Sequence, residues 1–173
     1  MQTLKGTIQT LLAARTGGEA LIEADQNAPR PPLPYWTWKI TSMPALGRDS
    51  LGQGVSDDGN QTVQGVREAT ISLQRYGADS EVPVATVRDD MARTTVIEAW
   101  GLADLAIIRC GPVTNTSITR DNASIEARCM LELFIRFGTR LLDRVGIIET
   151  IEADGTYPGT AAADEVQHIT ITL

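Results

Sequence analysis

Histidine, cysteine, aromatic side chains and basic charge are all scarce in this sequence, and each shortage removes a class of function. The one histidine, His168, lies on the polar side of a strand-like run. A Ser or Cys nucleophile needs a neighbouring base, so hydrolysis by such a pair has little to work with. The two cysteines, Cys110 and Cys129, stand far apart in apolar runs and read as buried, reduced thiols. Zinc needs Cys and His clustered at short spacing, and none occur. Gly52-Gln-Gly-Val lacks the lysine and the following helix of a phosphate loop. No run approaches the ~18 apolar residues that a membrane span requires, and Met1–Arg15 has no apolar core of a secretion signal. The expectation is a chain made in the cytosol, with no membrane contact. Fifteen Lys and Arg face 22 Asp and Glu, for a net charge of −7. A field of that sign opposes a polyanion at long range. Paired carboxylates at Asp57-Asp58 and Asp89-Asp90 are sequence neighbours, which does not make them converge in a pocket. We therefore expect a non-enzyme with no cofactor and no bound metal.

What is present reads as one α+β domain over residues 1–173, a mainly antiparallel sheet with two helices packed on one face. Leu4, Ile8, Leu11 and Leu12 form the apolar stripe of a first helix, Gln2 to about Arg15. Gly17-Gly18 interrupts it, and Glu19–Ala24 reads as a further turn or two. Four prolines between Pro29 and Pro34 impose an extended lead-in. In the strand that follows, Trp36, Trp38 and Ile40 alternate with Thr37, Lys39 and Thr41. The two tryptophans suit core packing or a partner interface. About 44–65 is polar and glycine-rich and reads as a long hairpin arm or loop. Gly65–Tyr76 alternates as a second strand. Val84, Val87, Met91, Ile97 and Trp100 are spaced for a second helix over roughly 81–100. Leu105–Cys110, Ser124 to about Thr139, Val145–Ala153 and Val166–Leu173 supply the remaining strands. The last of these is expected either to complete the sheet or to pair with a neighbouring subunit.

Glu126, Arg128, Glu132, Arg136 and Arg140 recur along the longest strand, opposite Cys129, Leu131, Leu133, Ile135 and Phe137. Such a charged row is either a solvated sheet face held by cross-strand pairs or a subunit interface whose charges fix register.

Three stretches resemble the neck or tail terminator proteins of tailed bacteriophages. They are Gln26-Asn-Ala-Pro-Arg-Pro-Pro-Leu-Pro-Tyr-Trp-Thr after an N-terminal helix, the helix that follows Gly77, and Glu126-Ala-Arg128 leading into a long apolar strand with Arg136. The resemblance implies a structural virion protein, assembled in the host cytoplasm as a homohexameric ring. Such a ring caps the tail tube, joins it to the head–neck connector and lets genomic DNA pass through its lumen without specific binding. Its expected contact residues are Trp36, Trp38, Asp57, Asp58, Glu126, Arg128, Glu132, Arg136 and Arg140. Two other readings stay open: a small metal-dependent hydrolase using Asp57-Asp58, and a partner-binding adaptor with an exposed edge strand.

Overall fold

The computed structural model describes residues 3–27, 29–52, 54–56, 58–120, 124–146, 150–157 and 165–172. They fall into two compact units, one of Met1–Asp49 and Gly65–Thr139, the other of Ser50–Gln64 and Arg140–Leu173.

The larger unit begins with helix α1, Leu4–Ala13, capped by the Thr3 hydroxyl, which accepts a hydrogen bond from the Gly6 amide at 3.3 Å. Ile8 and Leu12, one turn apart on the predicted stripe, are completely buried. Gly17 and Gly18 have φ of 65° and 84°, backbone that side chains disfavour, and they turn the chain back. The following segment is not helix: Ala20–Glu23 is strand β1, parallel to β2, Tyr35–Ser42. The aliphatic pair Leu21-Ile22 fits a pleated position beside an aromatic strand better than a solvated turn. Strand β3, Ser50–Leu51, belongs to the smaller unit. Strand β4, Asn60–Tyr76, then runs antiparallel to β2, with Trp38 opposite Leu73 and Ile40 opposite Ile71.

The expected second helix is two helices, α2 at Glu81–Asp90 and α3 at Thr94–Gly101. Val84, Val87 and Met91 keep one helical phase. The next buried residue, Val96, comes five positions on rather than three or four, and Trp100 follows it. Arg93 takes up the difference in an extended conformation, φ −75° and ψ 136°, and its side chain pairs with Asp90 at 2.9 Å. The chain continues through β5 (Leu105–Cys110), β6 (Thr114–Asn115), β7 (Ile118–Arg120), β8 (Ser124–Glu126) and β9 (Arg128–Arg144).

The main sheet has the order β1-β2-β4-β9-β5, with β3 on β4 and β6 on β9. The polar stretch Thr114–Asn122, turn-like in sequence, instead contributes β6 on β9 and β7, which pairs antiparallel with β8. One core joins the helices to one face of the sheet, with Ile8, Leu12, Val84, Val87, Val96 and Trp100 packed against Trp36, Trp38, Ile71, Leu73, Leu131, Leu133 and Ile135. The sheet residues in this core all share one alternation phase, so the helices cover a single face, as an α+β fold requires.

In the smaller unit, β3 pairs antiparallel with Val63 and Gln64 of β4, and Gly59 closes the turn at φ 72°. The polar arm is thus a ladder folded back on β4, which starts at Asn60 rather than Gly65. Two further strands, β10 (Thr150–Tyr157) and β11 (Glu165–Thr172), form a separate antiparallel pair. The C-terminal strand therefore pairs with β10 and does not complete the main sheet.

Candidate assembly surface

Strands alternate their side chains between faces, so the residues out of phase with the core define the helix-free face of the main sheet. On β2 and β4 they include Tyr35, Thr37, Lys39, Glu68, Ser72, Gln74 and Tyr76. On β9 they include Arg128, Glu132, Phe134 and Arg136. Tyr35 and Tyr76 stand opposite one another in register, and their rings stack at 4.8 Å and 4°. The Arg128 guanidinium lies over the Tyr76 ring at 5.6 Å and donates to the Tyr76 hydroxyl at 3.3 Å and the Thr116 carbonyl at 3.2 Å. Arg109 of β5, opposite Phe134 in the ladder, sits 3.3 Å above that ring. Arg136 bonds Glu68 at 3.2 Å, and Lys39 bonds Asp25 at 2.9 Å. Tyr35, Thr37 and Ser72 are buried on this face; the exposed cations it presents are Arg109 on Phe134 and Arg136 beside Glu68.

Two pairs anchor the surroundings. Arg75 bonds Glu19 through Nε at 2.9 Å and Nη2 at 2.7 Å. Those hydrogen bonds hold the Glu19 carboxyl below its ordinary range. Burial opposes the shift, and the Arg75 charge reinforces it. The Trp36 indole N–H adds a smaller lowering, although it makes no hydrogen bond of good geometry. Arg67 and Asp49 form a second bidentate pair, 2.7 Å on both arms, which likewise lowers the Asp49 carboxyl. Gly65 makes room for it: a Cβ there would lie 2.2 Å from Asp49 Oδ1.

The residues expected to meet partners divide sharply. Trp36 and Trp38 are each 1% exposed and belong to the core, so they are withdrawn as contact residues. Their phase on β2 points them at the helices, and Tyr35 and Thr37 occupy the other face. Arg128, Glu132 and Arg136 lie on the helix-free face, where Arg128 and Arg136 have intramolecular partners. Glu126 is bonded to Arg30 at 2.9 Å. Arg140 lies in the smaller unit, its Nη2 3.5 Å from the Thr62 hydroxyl. Asp58 is exposed, and Asp57 lies outside the described residues. The sequence reading missed Arg109, Phe134 and the Tyr35–Tyr76 stack. The alternation that buried the tryptophans carried the signal for Tyr35, but Arg109 needed the β5–β9 register.

Among the described residues, no three His, Cys, Asp or Glu side chains converge as a metal set. Of the other carboxylate pair, Asp89 is bonded to Arg88 and Asp90 to Arg93. Burial pushes both the Cys110 and Cys129 thiols above their ordinary range. The family model described as phage neck terminator protein matches residues 2–160. The chain belongs to the phage neck terminator family. That match spans both helix-bearing segments and every strand of the main sheet. No curated protein matches the chain. A neck terminator is a structural protein of the phage virion neck. Among the described residues no helix is long and apolar enough to cross a membrane.

Proposed function

We propose that this neck terminator works as a homo-oligomeric ring, near six subunits, which caps the tail tube and joins it to the head–neck connector while DNA passes through the lumen. The observation that carries the reading is the helix-free face of the sheet. Its arginines are held on Tyr76 and Phe134 or paired with Glu68, so a docking partner meets charges already fixed in position. The net charge of −7 suits a conduit that must not retain a polyanion. The reading includes no catalytic role.

Mass photometry across a hundredfold concentration range, followed by negative-stain imaging, tests the proposal. A ring with a central hole is expected, either alone or on mixing with tail-tube ends. A chain that stays monomeric at every concentration and ignores tube ends would refute it.

A further inference from the structure

The strand order of the main sheet begins at β1 and ends at β5, with no strand beyond either among the described residues. A free strand margin presents unpaired amides and carbonyls, and a strand from another copy can pair with them. β1 has four residues, fewer than the roughly five or six of an ordinary strand. β5 has six, Leu105–Cys110, with neither the proline nor the lysine that commonly blunts a free margin. Its one charged side chain, Arg109, leans inward over the Phe134 ring of β9. By composition, β5 is an open template for a further strand.

Its register breaks that template. Leu105, Ala106 and Ile107 stand opposite Phe137, Arg136 and Ile135, while Arg109 and Cys110 stand opposite Phe134 and Leu133. From Ile107 to Arg109 β5 advances two residues where β9 advances one, so Ile108 is an extra residue, a bulge. The core does not require it. Leu105 is buried, Ile107 and Cys110 pack against the core, and Arg109 takes the opposite face. That is the alternation Leu-Ala-Ile-Arg-Cys would show with no residue inserted. Ile108 itself is 41% exposed. A bulge leaves its residue unpaired, bends the strand and increases its twist. On either side of it, regular register lasts three residues and two, less than an incoming strand of ordinary length needs.

We propose that the bulge at Ile108 bars strand addition at β5, so that copies of this chain do not join edge to edge. Pairing β5 of one copy with β1 of the next would leave a free edge at each end and run on unless its rotation closed. With that route barred, contacts between copies are confined to faces and loops. The inference excludes one route to the ring described above, and it stands whether or not that ring forms.

Deletion of Ile108 tests it. The variant restores unbroken alternation along β5 and is expected to associate through that edge. Exchange of its outward β5 amides should slow by about tenfold or more relative to wild type at the same concentration. Ile108→Gly keeps the extra residue and removes only the exposed side chain, so it should associate no more than wild type. A folded deletion variant whose association and amide exchange match wild type overturns the proposal. So does Ile108→Gly associating as strongly as the deletion, because loss of the side chain and not of the bulge then explains the effect. Should the deletion misfold by circular dichroism, the wild-type chain alone supplies the second reading. Its outward β5 amides are expected to exchange equally fast from dilute to concentrated solution, and slowing as the chain associates overturns the proposal. Wild type that never self-associates removes the ring reading and leaves this one standing. Protection of β5 inside a wild-type ring removes this one and leaves the ring.

Discussion

Replacing Glu19 with glutamine tests whether the Arg75–Glu19 pair holds the start of the sheet. The Arg75 side chain is 8% exposed and the Glu19 side chain 26%. Arg75 also donates to the Ala78 carbonyl at 3.1 Å. Glutamine leaves that guanidinium buried with a neutral acceptor in place of a carboxylate. Breaking a buried pair on one side costs about 3–5 kcal/mol. Water reaches Glu19 and glutamine keeps one acceptor, so the expected loss is about 2–3 kcal/mol at pH 7. For a chain of this length that lowers Tm by roughly 5–10 °C. The Glu19 carboxyl lies below its ordinary value of 4.5 in the folded chain, so the unfolded chain takes up its proton more readily. The pair's contribution is full above that value and disappears as pH falls through the lower folded one. Urea unfolding, followed by tryptophan fluorescence at one fixed low protein concentration, should show a wild-type advantage at pH 7 that narrows steadily below pH 4.5. A variant within about 0.5 kcal/mol of wild type at pH 7, a margin ordinary for surface changes, would refute the argument. A gap that persists undiminished in acid would refute it equally.

Three other outcomes follow from particular contacts. Leu73→Ala, at a completely buried position, should cost about 2–5 kcal/mol. Trp38→Phe should cost clearly less, because the buried Trp38 Nε1 has no hydrogen-bond partner among the described residues; equal losses in urea unfolding would contradict this. Gly65→Ala should separate Asp49 from Arg67 and let the Asp49 carboxyl return upward to the usual aspartate range, read by NMR titration against wild type. Cys129, 3% exposed with its thiol raised by burial, should resist a thiol reagent at pH 8 until urea unfolds the chain, while fast labelling of the folded protein would contradict its burial.

The tryptophans show how much of the fold was legible in sequence and where legibility stopped. The period-two alternation of Trp36, Trp38 and Ile40 located a strand and its apolar side. It did not say whether that side would meet this chain's helices or another molecule, since both bury the same surface. The packing of α1, α2 and α3 decided for the core. The second helix is two because the spacing from Met91 to the buried Val96 breaks helical phase, a discontinuity that the spacing through Ile97 and Trp100 hides. The segment 19–24 became a strand because a partner for it lay ahead in the chain, which no local window shows.

The sequence by itself determined the class of the protein. Hydrophobic periodicity is local and survives in any environment, so α+β, a long strand from Ser124 to about Thr139 (β9 runs Arg128–Arg144), and the scarcity of catalytic side chains could be read directly. The proline–aromatic entry and the Glu126–Arg136 stretch carried the resemblance to neck terminators, and the match over residues 2–160 makes the chain a member. Only the tertiary structure decided which charges stand together. Arg109 meets Phe134, Arg128 meets Tyr76 and Arg75 meets Glu19 across separations of 25, 52 and 56 residues. Such pairs depend on strand order and register, which are set by the packing of the whole sheet and not by any residue's neighbours in sequence.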